Sequence, residues 1–110
     1  MNRIYLGEFE EMILLTVGIL NDKAYGVLIM EELESQSHRK AKLSAIHAVL
    51  KRLQKKGLVS SVMGGATTER GGRRKRMFTL TFSGKAILDQ VREVRDQMHD
   101  QIPQLIFDNV

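Results

Sequence analysis

The chain contains no cysteine and no tryptophan, a single proline, and two tyrosines and four phenylalanines among 110 residues. Without cysteine there can be no disulfide, no thiolate metal site and no thiol nucleophile. The histidines His38, His47 and His99 lack the i, i+4 spacing of a helical metal pair, so they read as isolated side chains. Glycine pairs at Gly64-Gly65 and Gly71-Gly72 are not followed by Gly-Lys-Ser or Gly-Lys-Thr, which excludes a nucleotide phosphate loop. Glu31 and Glu32 are adjacent, diverge on a helix and have no partner His or Ser nearby, so no acid–base constellation can be assembled. Neither an enzyme nor a bound cofactor is expected. The apolar run from Met12 to Leu20 is too short for a membrane span and is interrupted by Thr16 and Gly18. No basic-then-apolar leader is recognisable either, and the expectation is a cytoplasmic protein.

What the chain does have is charge, and that charge is segregated. Between Arg39 and Arg76 twelve Lys or Arg stand against one acid, Glu69, a net +11, while the remainder carries −7, leaving +4 overall. A basic segment on an acidic body attracts a polyanion and discourages indiscriminate adhesion. A membrane surface would call for basic residues and exposed aromatics on one amphipathic helix, and that pattern is missing.

The basic segment has internal order. Ile46, Val49, Leu50 and Leu53 recur at steps of three and four, which predicts a helix with one apolar stripe, capped by Ser44 and ended by Gly57. Ala45, His47, Ala48, Lys51, Arg52 and Lys55 fall outside the stripe, a small and basic front that suits a groove in DNA. After Gly57 the period changes: Leu58, Val59 and Val62 read as one strand, and Phe78 and Leu80 as a second. The glycine-rich loop between them carries Arg70, Arg73, Arg74, Lys75 and Arg76. Alone it reads as a solvated hairpin; directly behind a groove-sized helix it reads as a wing. Ser44, Ala45, His47 and Ala48 are expected to face base edges, Lys51, Arg70, Arg73, Arg74 and Lys75 to meet phosphate, with entry of a wing arginine into the minor groove as the alternative, and Lys42 to touch phosphate or stay hydrated.

The flanks predict helices over residues 5–20 and from Ala24-Tyr25-Gly26 to Ser37. The first sets Leu6, Phe9, Ile13, Val17 and Leu20 on one face, with Met12, Leu14, Leu15 and Ile19 making it apolar well beyond that face. Glu8, Glu10 and Glu11 sit in its first turn, where the helix dipole favours acids. A last helix, capped by Ser83, carries Ile87, Val91, Val94 and Met98 at heptad-like steps, prolonged by Ile102 and Leu105, with Pro103 ending the regular part. That seam is too long for one small domain. It predicts a homodimer in which Phe9 and the rest of the first helix meet the partner's long helix.

The run LSAIHAVLKRLQKKGLV, followed by TTERGGRRKRMFTLTFSGKAIL, resembles the winged helix-turn-helix core of the PadR family of transcriptional regulators. Leu6-Gly7-Glu8-Phe9-Glu10 and Ala24-Tyr25-Gly26 are similar to that family's opening elements, so the likeness covers nearly the whole chain. His47 stands where the family typically has Tyr in the recognition helix, and Met77 where the second strand usually has another. The expected fold is mainly α with a small β-hairpin: a winged helix-turn-helix over residues 1–82 and a dimerisation helix over 83–110, as in the short subgroup. The resemblance implies a DNA-binding repressor on operators with two-fold symmetry, with Tyr25 in the DNA-facing set. It also implies release by a small molecule at or near the dimer interface, for which Phe9 and Met98 are the candidate lining; the alternative is that they only pack the dimer. The rival reading of the whole chain is a winged-helix protein-interaction module with no operator of its own.

Overall fold

The computed structural model describes residues 5–64 and 75–104. Arg70, Arg73, Arg74 and Leu105 lie outside the described residues. Helix α1 (Glu8–Leu20) passes through a 3-10 turn (Asn21–Lys23) into α2 (Gly26–Ser37) and then α3 (Leu43–Lys55). Strands β1 (Val59–Met63) and β2 (Arg76–Leu80) form an antiparallel hairpin, and α4 (Phe82–Asp100) follows.

Helix α3 forms as its periodicity demands. Ile46, Val49, Leu50 and Leu53 are all buried, while Ala45, His47, Ala48, Lys51, Arg52 and Lys55 are exposed. Gly57 ends it with φ 75°, a left-handed conformation that glycine adopts without a Cβ penalty. The cap differs from expectation. Lys42 occupies the N-cap position without a side-chain bond, and Ser44 is already inside the helix with its side chain exposed. The core is closed by Ile13, Leu14 and Val17 of α1, Ile29 and Leu33 of α2, and Leu58, Val59 and Phe78 of the hairpin.

The hairpin pairs Val59 with Leu80 and Ser61 with Phe78. A third extended segment, not foreseen from the sequence, lies on the other side of β2. Tyr25 bridges Met77, and the Phe78 N–H donates to the Ala24 carbonyl at 2.9 Å. The entrance of α2 is thereby fastened to the base of the wing.

Helix α4 is capped by Thr81 rather than Ser83. The Thr81 hydroxyl accepts from the Gly84 N–H at 3.0 Å and donates to the Gly57 carbonyl at 2.7 Å, a geometry that the position just before the helix can adopt and Ser83, inside it, cannot. Gly84 is required by close approach, since a Cβ there would lie 2.2 Å from the Leu58 carbonyl oxygen. Ile87 and Leu88 pack against the edge of the core, but Val94, Met98 and Ile102 are 54%, 64% and 52% exposed.

The first turn of α1, which begins at Glu8 rather than at residue 5, is a junction. Glu8 accepts from Arg39 at 3.1 Å, Glu11 accepts from Arg95 at 2.9 Å, and buried Glu10 takes the Lys56 ammonium on both oxygens at 2.9 Å. Glu10 also accepts from the Gly7 N–H at 2.9 Å, and Arg52 stands 3.7 Å away. Burial alone pushes the Glu10 carboxyl up, but the Gly7 N–H, Lys56 and Arg52 together outweigh it and hold the group below its ordinary value. A depressed folded-state value stabilises the fold above the unfolded carboxylate value, about pH 4.3, and the contribution fades as pH falls through the lower folded value. Replacing Glu10 with Gln is expected to cost about 2 kcal/mol at neutral pH, the range for hydrogen bonds to charged groups. Urea titrations of wild type and Glu10→Gln should show that gap shrinking below about pH 4; a gap independent of pH would remove the carboxylate from this role.

Candidate nucleic-acid interface

With about 3.6 residues per turn, Ser44, Ala48, Lys51 and Lys55 form one row along the exposed side of α3, opposite the buried stripe. Ala45 and Arg52 flank the row on one side, His47 and Gln54 on the other. The flanks have different fates. Arg52 turns toward Glu10, whereas Gln54 accepts from Ser61, which in turn accepts from Arg76 at 2.9 Å, so β2 is tied through β1 to the exposed helix.

His47 leans toward the entrance of α2. A Cβ on Gly26 would meet its Cε1 and Nε2 at 2.8 Å, so a glycine is needed for the imidazole to lie against the backbone there. Tyr25, Val27, Leu28, His47, Lys75 and Arg76 surround a cleft of about 440 Å³ at this place. The Lys75 ammonium stands over the Tyr25 ring at 5.6 Å, a cation–π distance. No side chain caps α2 at Tyr25, so the positive end of a helix dipole adds to the two cations. An anionic group is favoured in such a cleft, and a phosphodiester bound there would lie beside the α3 row.

The structure thus brings Tyr25, His47 and Lys75 together, aligns Ser44, Ala48 and Lys51, and leaves Ala45 on the far flank. Lys42 stays exposed at the entrance of α3. Arg39 is turned to α1, where it bonds Glu8 and covers the Phe9 ring at 4.6 Å. Sequence reasoning set Lys55 on the basic front of α3 but not among the phosphate contacts, although its step from Ser44 continues the row. It also missed Val27 and Leu28, whose exposure at the cleft depends on how α2 is anchored by Ala24 and Tyr25.

A second exposed region lies along α1 and α4. Ile87, Val91, Val94 and Met98 border a cleft of about 550 Å³ with Tyr5 and Leu6; Phe9 is not part of its lining. On the other side of the α1–α4 contact, Leu15, Ile19, Leu80 and Leu88 floor a cleft of about 580 Å³. Among the described residues no cluster of His or acids could hold a metal ion, and no helix is long and apolar enough to cross a membrane.

Comparison with known proteins converges on one family. No curated protein matches the sequence. A PadR family transcription regulator from Clostridium difficile R20291 superposes with a TM-score of 0.72 at 21% identity, over 91% of this chain and 99% of its own. A PadR-like transcriptional regulator from Bacillus cereus gives 0.70 at 17% identity, over 90% and 91%. PadR of Bacillus subtilis, solved in complex with operator DNA, gives 0.58 at 28% identity, over 74% of this chain and 45% of its own. The transcriptional regulator PadR-like family matches residues 14–90, more than half of the sequence, from the second half of α1 to the first turns of α4. With the helix-turn-helix, the hairpin wing and the trailing α4 already in place, the chain belongs to the PadR-like family of transcriptional regulators.

Proposed function

We propose that the chain is a sequence-specific DNA-binding repressor that acts as a homodimer. The carrying observation is the exposed row Ser44, Ala48, Lys51 and Lys55 beside a cationic cleft built by Tyr25, His47, Lys75 and Arg76. Residues with short side chains in the row let the helix approach base edges, and the lysines and the α2 entrance hold phosphate. The Bacillus subtilis relative bound to operator DNA supports this assignment. Residues 1–82 carry the DNA reading and 83–110 the dimer contact, with the wing cations Arg70, Arg73 and Arg74 as further phosphate ligands. Half-sites in a two-fold operator lie ~34–36 Å apart, so two copies must hold their α3 helices at a fixed separation. The exposed Val94, Met98 and Ile102, with Ile87 and Val91, supply the apolar seam for a second copy. An apolar or aromatic effector would act from the cleft on this same face, because a ligand regulates only through unequal affinity for different dimer arrangements.

Lys51→Ala and Lys55→Ala should weaken binding to all DNA alike and each lower the slope of log K against log salt by about one. His47→Ala should instead narrow the gap between operator and random DNA by about 1–3 kcal/mol, measured by competition titration on the DNA upstream of the protein's own gene. Equal affinity of the wild type for that DNA and for random sequence would favour a protein-interaction module.

Val91→Asp or Met98→Asp should shift sedimentation from dimer toward monomer, because an unpaired charge at the seam carries a penalty on the order of 3–5 kcal/mol. An unchanged dimer in both variants would displace the seam from this face. For the effector, cationic and phenolic apolar compounds that raise the melting temperature should lose that effect in Met98→Ala and weaken operator binding. Hits that leave operator affinity unchanged would deny the cleft a regulatory role.

A further inference from the structure

We propose that the Glu11–Arg95 ion pair sets the angle of α4 on the body and thereby the separation of the two α3 helices, so that two side chains remote from the α3 row select operator spacing. This rests on the dimer proposed above. The seat of α4 is tight at its start. Gly84 admits no Cβ against the Leu58 carbonyl oxygen, and Thr81 clamps the first turn to Gly57. Apolar packing on the core ends with Ile87 and Leu88. Farther along, clefts open on both sides of the α1–α4 contact, one floored by Leu15 and Ile19, the other bordered by Tyr5 and Leu6. Arg95 lines both clefts and crosses the space between the helices, its Nη2 donating to Glu11 Oε1 at 2.9 Å. The Glu11 side chain is 18% exposed and that of Arg95 59%, so the pair is shielded from solvent on its carboxylate side only. Lys85–Asp89 and Arg92–Asp96, by contrast, pair within α4 and do not attach it to anything else.

The arrangement is a pivot with a tether. Arg95 stands eleven residues beyond Gly84, ~16 Å along the helix at about 1.5 Å per residue, so a tilt of ~10° about the pivot displaces it by ~3 Å. Packing by Ile87 and Leu88 acts close to the pivot and so with a short lever, whereas the Glu11–Arg95 pair acts farther out along the helix. Glu10, the next residue on α1, holds Lys56 and Arg52 at the end of α3. One helical turn of α1 therefore refers the direction of the dimerisation helix directly to that of the DNA-reading helix.

The chain has no cysteine, so Ala48→Cys places a single spin label on the exposed side of α3. Pulsed electron spin resonance on that protein should give one narrow label-to-label distance for the dimer. Adding Arg95→Gln or Glu11→Gln should broaden or shift it by several ångströms, and adding Arg95→Lys should leave it near the parent value. In unlabelled protein, using paired sites selected by the parent from a random DNA pool, the Gln variants should lose the preference for the selected spacing while keeping affinity for a single half-site. Absence of a label-to-label distance in the parent overturns the dimer itself. A parent distance unchanged in both Gln variants overturns the angular role and leaves the dimer standing. A Gln variant that is monomeric by sedimentation also overturns it, because the pair would then hold the dimer together rather than orient it.

Discussion

A carboxylate that is buried must be compensated, and in this chain the compensation of Glu10 organises the molecule. Its oxygens receive the Gly7 N–H and the Lys56 ammonium, with Arg52 close by, so the start of α1 and the end of α3 are joined by a contact that neither could make with solvent. The neighbouring acids use the same geometry. Successive residues of a helix point about 100° apart, and Glu8, Glu10 and Glu11 accordingly reach three different elements: the turn before α3, the end of α3, and α4. What looks like a helix N-terminus supplied with acids for its dipole is also the place where the tertiary arrangement is held.

This divides the cations into two groups. Among the described residues, Arg39, Arg52, Lys56 and Arg95 pair with the acids of α1, while Lys42, Lys51 and Lys55 lie along the outer surface of α3. The net +11 of the basic segment therefore overstates the charge offered to a polyanion. The withdrawn cations align the helix that the outward ones decorate. Electrostatics contributes to the surface twice, once as its architecture and once as its field.

Much of the fold was legible because it is encoded locally. The stripe from Ile46 to Leu53 named both the buried and the exposed side of α3, Gly57 marked its end, and the change of period announced the hairpin. The helix caps were less legible, since Ser44 and Ser83 are good caps by type while Lys42 and Thr81 hold the positions where the backbone leaves the helical region. The remaining misses are contacts between distant residues. Nothing near Glu10 announces Lys56, nothing near Gly26 announces the imidazole that needs its missing Cβ, and the pairing of Phe78 with Ala24 follows only once the core has closed. Among the candidate site residues the α3 row was readable from period alone, and the cleft was not, because it is formed where three separate segments meet.

The junction on α1 bears on how the chain reaches this state. Its three acids bond to partners 31, 46 and 84 residues farther along the sequence. Synthesis delivers α1 before any of those partners, so an emerging chain carries an apolar helix whose anchoring groups do not yet exist. Contacts of such long sequence separation are entropically expensive to close early and slow folding relative to bundles held by neighbours. The nascent helix, with Leu15 and Ile19 exposed even in the finished fold, then offers apolar surface for a chaperone to cover.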